Sequence, residues 1–376
     1  MRRGHLRLLT NMESPLDRTL DACLNRASEG LRVLMDVARF ELDHRELSES
    51  LKGLRHRLIQ IFQSDLPSAS ELLHARRSEQ DVSRPSDSSK TPPAYGDLAA
   101  LVQANSRRAE EALRTLEEFS RLTDSTRARA VEHLRYECYD LHRKIALVAQ
   151  EQSIRGKMDF ELYVVTDEKL SMGRGLTEVV TQAIRGGAGC IQLREKRQDK
   201  KTVLAQAKEV RKITRDEGVT FIVNDHLDIA LEVGADGVHV GQEDLPLSAA
   251  RRLSRGSLLI GVSTHNREQA LEAQEGGAGY VNIGPIFQTQ TKGVPVHPVG
   301  PDLIREMKPI LTAPFTTMGG IHLDNVEEVI LAGADRVAVV SEVVAAEDIE
   351  GAARGMVKAI TRAKEKRETI AQESSD

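Results

Sequence analysis

The sequence predicts an α/β protein, an all-helical N-terminal region followed by a TIM (β/α)8 barrel. Three observations predict it. Apolar residues recur at helical spacing through roughly the first 150 residues, short β-branched runs then alternate with amphipathic segments, and those runs number eight. Eight βα units in just over two hundred residues are the arithmetic of a closed parallel barrel. A doubly wound sheet is the alternative, but it does not require eight evenly spaced units.

In the first region Leu16, Leu20, Leu24, Ala27, Leu31, Leu34 and Ala38 mark one continuous helical stripe. A weak repeat follows. "RASEGLRVLMDVARF" (26–40) resembles "RRAEEALRTLEEFSRL" (107–122), and "GLRHRL" (53–58) resembles "HLRYEC" (133–138) at nearly the same offset. Two related helical hairpins packed together account for this. The Ser- and Pro-rich "SRPSDSSKTPPAYG" (83–96) between them reads as an exposed loop. The helical domain is expected over 12–150, because the pattern starts only after Pro15 and translation could equally begin at Met12.

The barrel is expected over 157–367. Its eight runs are "ELYVVTD" (161–167), "CIQLREK" (190–196), "TFIVND" (220–225), "GVHVG" (237–241), "LLIGVST" (258–264), "YVNIGPIF" (280–287), "FTTMGG" (315–320) and "RVAVVS" (336–341). Amphipathic segments such as 199–217 and 324–332 separate them. "GGAG", "GADG", "GGAG" and "GAD" precede the even-numbered runs, where glycine suits the turn from a helix C-terminus into a strand.

Composition narrows the function. The formal net charge is -5 and the pI about 6.2, so no global basic field points to nucleic acid or an anionic membrane. Cys23, Cys138 and Cys190 lie far apart without CxxC spacing, which argues against a disulfide scaffold or zinc ribbon and fits a reducing cytoplasm. No apolar run reaches signal-peptide or membrane-spanning length, so a soluble chain is expected.

Catalytic groups of such barrels sit at the C-terminal ends of strands, and here polar residues gather there. The second run ends in Gln192, Arg194 and Lys196, the third in Asn224 and Asp225, the fourth in His239 with Asp244 just beyond. Ser263 closes the fifth, "GPIFQTQTKG" (284–293) follows the sixth, Gly319 and Gly320 close the seventh, and Ser341 the eighth. Asp225 and Asp244 would stand on neighbouring strands, near enough to share magnesium, which takes one or two carboxylates and fills its other positions with water and phosphate. Arg194, Lys196 and Lys292 then read as clamps on a departing polyphosphate, the bland alternative being surface ion pairs. Gly320 and Ser341 match the phosphate site often built after strands seven and eight. Two separated phosphate regions imply two phosphorylated substrates. His239 is either a core histidine or a ligand contact.

In order, "LYVVTD", "QLREK", "FIVND", "GADGVHVGQEDLP", "GVSTH", "GPIFQTQTK", "GGI" and "AVVS" resemble the thiamine phosphate synthase family over about residues 160–365. The resemblance implies a transferase that joins hydroxymethylpyrimidine diphosphate to hydroxyethylthiazole phosphate, with magnesium, releasing pyrophosphate. It implies Asp225 and Asp244 as metal ligands, and Arg194, Lys196, Asn224, Ser263 and Lys292 as diphosphate contacts. Tyr163, Gln192 and His239 fall to the pyrimidine pocket, and Thr289, Thr291, Gly320, Val340 and Ser341 to the thiazole phosphate. Gln288, Met318 and His226 depart from the usual pattern near the site. A thiazole tautomerase-like isomerase and a non-catalytic phosphate sensor are the rival readings of the barrel.

"LDACLNRASEGLRVLMDVARF" (20–40), "LKGLRHRL" (51–58), "ARRSEQDVS" (75–83) and "ANSRRAEEALRTLEEF" (104–119) resemble a helical domain fused to some bacterial members, proposed as an alternative hydroxymethylpyrimidine phosphate kinase. Cys23 departs from the asparagine usual there, while Asn105 holds the corresponding place in the second repeat. Arg26, Arg32, Arg55, Arg76 and Arg114 could gather around an anion, though arginines on helices are usually solvated or paired within the helix. No Walker or kinase glycine loop is present. Kinase, small-molecule binding and homo-oligomerisation stand as three readings of this region.

Overall fold

A computed structural model of the chain describes residues 15–63, 95, 97–289 and 297–373. It divides into two compact units, 1–153 and 154–376.

Four long helices make up the first unit among its described residues: α1 (Pro15–Asp36), α2 (Arg45–Gln63), α3 (Leu98–Ser120) and α4 (Ser125–Gly156). A π-helical turn, Val37–Glu41, extends α1, and Asp43 at φ 45 turns the chain into α2. The stripe read from sequence is the buried one: Leu20, Ala27, Leu31, Leu34 and Ala38 meet Leu51, Leu54, Leu58, Leu113 and Leu116 in one core. The two copies of the repeat, on α1 and α3, pack directly together. At Gly30 an added Cβ would stand 2.9 Å from the Asn105 carbonyl oxygen, so this crossing requires glycine. The "SRPSDSSKTPPAYG" loop lies almost entirely outside the described residues.

The second copy also carries a buried ion network. Glu117, its side chain fully buried, accepts from Arg135 Nε at 2.7 Å, Arg121 Nη2 at 2.7 Å and Arg114 Nη1 at 3.0 Å. Burial opposes its charge, but Arg135, then Arg114 and Arg121, overcome that cost and hold its carboxyl below the ordinary range.

The second unit is a closed barrel of eight parallel strands in sequence order, β1 pairing with β8. The strands are β1 (Leu162–Val165), β2 (Cys190–Leu193), β3 (Thr220–Asn224), β4 (Gly237–Val240), β5 (Leu259–Thr264), β6 (Tyr280–Ile283), β7 (Phe315–Met318) and β8 (Val337–Val339). Each falls inside its expected run. Helices Leu176–Arg185, Lys200–Asp216, Leu227–Val233, Leu247–Ser254, Arg267–Glu275, Gly300–Met307 and Val326–Leu331 connect them, and Ser341–Val344 and Ile349–Glu373 follow β8. Gly187, Gly234, Gly277 and Gly333, from the four expected turns, all take positive φ.

Alternation along each strand sorts two cores. Leu162, Val164, Ile191, Phe221, Val223, Val238, Val281 and Val337 pack outward under the helices. Tyr163, Val165, Cys190, Ile222, Leu259, Tyr280 and Ala338 fill the interior, with Met158 and Phe160, which precede β1, packed beneath. Interior volume is shared tightly. A Cβ at Gly261 would fall 2.0 Å from Tyr280 Cζ, so the Tyr280 ring occupies the space that glycine leaves. Because the interior is packed solid, only the strand ends are free to form a site.

Candidate active site

At the C-terminal mouth one pocket is lined by Gln192, Arg194, Lys196, Asn224, Asp225, His239, Asp244, Ser263, Thr289, Gly320, Val340 and Ser341. Tyr163 lies buried within the barrel interior. Thr291 and Lys292 lie outside the described residues. Arg194 and Lys196 follow β2 rather than belonging to it, and Ser341 is the first residue of a short helix.

The loop after β2 is built to present cations. The Arg194 N–H donates to Thr166 Oγ1 at 3.1 Å, and its Nη1 donates to Asp167 Oδ2 at 2.7 Å. Glu195 Oε1 accepts the Arg197 N–H at 2.7 Å, which turns the loop so that Lys196 Nζ stands 3.2 Å from Asp225 Oδ2. Asp225 itself takes φ 61, left-handed backbone at which aspartate is one of the few tolerated residues. Strain of this kind is held where surrounding contacts over-determine it.

Asp225 and Asp244 approach within hydrogen-bond reach of each other. Burial, then the Asp244 carboxylate, raises the Asp225 carboxyl. Burial opposes the Asp244 charge as well, but the Gly241 N–H, donating at 2.7 Å, and the bond from Asp225 hold it below its ordinary value. Two carboxylates held this close gather negative oxygens at one point, a donor set suited to a hard divalent cation. Among the described residues no larger group of His, Cys, Asp or Glu could hold a metal. Beside the pair, Asn224 Nδ2 is buried without a partner among the described residues, a donor available to a ligand oxygen.

Deeper in, a relay of polar side chains crosses the barrel. Gln192 Nε2 donates to Tyr163 Oη at 2.5 Å; Tyr163 and Tyr280 hydroxyls lie 3.0 Å apart; Tyr280 Oη meets His239 Nδ1 at 2.9 Å; and His239 Nε2 meets Ser263 Oγ at 2.8 Å. Burial first, then neighbouring groups, pushes both phenols well above their ordinary range, so both stay protonated. One direction of donation satisfies every member, from Gln192 through Tyr163, Tyr280 and His239 to Ser263. It leaves the Ser263 hydroxyl proton to point at a ligand. His239 is thus both buried and at the pocket.

Four strands away, on the opposite rim, Gly319 and Gly320 take φ 103 and 62. A Cβ on Gly320 would lie 2.5 Å from the Gln288 carbonyl oxygen, which draws the loops after β6 and β7 together. Asn325 Nδ2 donates to Gly320 O at 2.9 Å and its Oδ1 accepts the His322 N–H at 2.8 Å, so "IHLDN" forms the turn before its helix. Among the departures, Met318 lines the pocket, while Gln288 is exposed.

Sequence reasoning missed Tyr280, Asp167 and Asn282. Asn282 lines the pocket, its Oδ1 accepting from Thr316 Oγ1 at 2.8 Å. Tyr280 and Asn282 alternate along "YVNI", a polar period inside a strand that could have flagged both. In the helical unit, Arg32 pairs with Asp36 at 2.9 Å, and Arg114 with Glu117 and Glu118, so both lie in contacts within their own helix. Arg76 lies outside the described residues.

Comparison with known proteins matches residues 162–343 to a family model described as thiamine monophosphate synthase, and residues 18–144 to the ThiD2 family. Thiamine-phosphate synthase of Shouchella clausii (strain KSM-K16) is 48% identical over 204 residues, 54% of this chain and 98% of that protein. The same-named protein of Synechococcus sp. (strain WH7803) is 39% identical over 347 residues, 92% of this chain and 96% of that protein. Among solved structures, thiamine phosphate pyrophosphorylase from Pyrococcus furiosus superposes with a TM-score of 0.51 at 35% identity, covering 56% of this chain and 98% of that one.

Proposed function

The chain belongs to the thiamine-phosphate synthase family and is a transferase of thiamine biosynthesis; from that premise we propose how its mouth divides between two phosphorylated substrates. The observation that carries the division is the carboxylate pair with Arg194 and Lys196 on one rim, set against Gly320 and Ser341 on the other. The first rim takes hydroxymethylpyrimidine diphosphate and the second hydroxyethylthiazole phosphate.

Asp225 and Asp244 would hold magnesium, which neutralises diphosphate charge when bound. Arg194 and Lys196 bind the same diphosphate, Asn224 Nδ2 donates to one of its oxygens, and the Ser263 hydroxyl donates to another. Asp167 fixes the Arg194 fork before substrate arrives, so little reorganisation is needed as charge grows. The C–O bond to the pyrimidine methylene breaks with both electrons leaving on the diphosphate. The thiazole nitrogen lone pair then forms the C–N bond, and no proton need move, which suits a site without a nucleophilic dyad. Gln192, held by Tyr163, and His239, held by Tyr280, orient the pyrimidine. Thr289, Val340 and Ser341 place the thiazole phosphate, and Thr291 and Lys292 keep the roles their resemblance implies.

We place the synthase module at 157–367 and a helical module at 12–150, in a cytoplasmic chain. No helix among the described residues is long and apolar enough to cross a membrane. Incubation of purified protein with both substrates and magnesium tests the reading. Thiamine phosphate and pyrophosphate in equal amounts support it, and no product, or full turnover without divalent metal, sinks it. For the helical module we propose that it binds hydroxymethylpyrimidine phosphate and phosphorylates it. ATP-dependent accumulation of the diphosphate in an Asp225→Asn chain assayed without hydroxyethylthiazole phosphate, so that none is consumed, supports this, whereas its failure leaves small-molecule binding and oligomerisation.

A further inference from the structure

The ten residues after β1 reach both rims, and their last charged member has no part in the site described above. Thr166 and Asp167 hold Arg194 on the diphosphate rim. The chain then passes through a 3-10 turn, Glu168–Ser171, and two consecutive left-handed residues, Met172 at φ 55 and Gly173 at φ 81. That reversal directs Arg174 across to the segment after β8. Its Nη2 donates to Val344 O at 2.9 Å, its Nη1 to Ala346 O at 2.6 Å and Glu347 O at 3.3 Å, and its Nε to Ser171 O at 2.8 Å. Four carbonyls thus converge on one half-buried guanidinium.

Val344 O ends the short helix Ser341–Val344, whose first residue lines the pocket, and Ala346 O and Glu347 O lie just beyond it. A helix of one turn makes few hydrogen bonds of its own and leaves its last carbonyl open. A cation at its C-terminal side supplies the missing partner and favours its dipole. We propose that Arg174 is a positioning residue for the phosphate-bearing acceptor: it seats the Ser341 turn, and the strap from Thr166 to Gly175 sets that turn in register with Arg194. The proposal rests on the division of the mouth stated above.

Steady-state kinetics on the full chain test it, with wild-type thiamine phosphate formation established first. Absence of that product from wild type would be a failure of the functional reading, not of this inference. In Arg174→Ala the KM for hydroxyethylthiazole phosphate should rise about tenfold or more, the loss of charge-assisted bonds being worth a factor of that order. The KM for hydroxymethylpyrimidine diphosphate should change far less. Arg174→Lys should fall between, since an ammonium lacks the planar fork. Low-millimolar guanidinium added to Arg174→Ala should lower the thiazole KM again by refilling the same carbonyls, while a general loss of structure would raise both KM values alike. Asp167→Asn should show the converse split. Equal changes in both KM values, or unchanged values in a folded Arg174→Ala or Arg174→Lys protein, overturn the proposal.

Discussion

Substituting Asp225 in two ways separates its chemistry from its backbone. Asp225→Asn keeps the size and the tolerance of left-handed φ, and the new amide can donate to Asp244 and accept from Lys196, 3.2 Å away. The pair with Lys196 is half exposed and worth about 0–1 kcal/mol, so Asp225→Asn should leave stability within about 1 kcal/mol of wild type. Alanine at φ 61 costs a further ~1–2 kcal/mol. For a unit of this size each kcal/mol moves Tm by about 2–4 °C, so Asp225→Ala should melt roughly 2–8 °C below Asp225→Asn. Activity should not follow that order. Both variants remove a charged oxygen from the metal and diphosphate side, and both should lose about 100- to 1,000-fold in kcat. Pyrophosphate release across a magnesium titration, with calorimetric melting of the same preparations, reads both quantities. Near-wild-type release by Asp225→Asn at limiting magnesium would refute the metal role, and equal melting of the two variants would refute the backbone argument.

Tyr280→Phe removes the hydroxyl between Tyr163 and His239, leaving His239 Nδ1 buried without it. A loss of about 1–3 kcal/mol is expected, with a raised KM for the pyrimidine diphosphate, read by melting and kinetics. Glu117→Gln leaves Arg135, 8% exposed, without its counter-charge and should cost about 3–5 kcal/mol in the helical unit. Because the Glu117 carboxyl is held below its ordinary range, its contribution is complete above about pH 4.3 and fades as pH falls toward its folded value. An acid titration by circular dichroism should therefore show a step in wild type that Glu117→Gln lacks.

The strands and the strand-end polar residues were legible because both obey local periods: β-branched runs of fixed parity, glycines ahead of the even strands, and charge where an apolar run stops. The helical stripe from Leu20 to Ala38 was legible for the same reason. Asp167 was not, since its meaning depends on Arg194, 27 residues away, and nothing in "LYVVTD" announces that partner. The left-handed backbone of Asp225 and the π-turn after Asp36 were equally hidden, because neighbouring strands and helices impose them against local preference. Arg32 and Arg114 follow the commoner of the two readings offered for them, since Asp36 and Glu117, four and three residues on, pair with them along their own helices.

The interlock of Gly261 with the Tyr280 ring imposes an order on any change to this pocket. Every side chain larger than hydrogen at 261 collides with the ring, so a library randomised at that position alone should return only the parent residue. A smaller residue at 280 opens 261 to alanine or serine, and the pair can then drift together toward a differently shaped floor. Adaptation to a bulkier pyrimidine is thus open along one path and closed along the reverse, although both end at the same double variant.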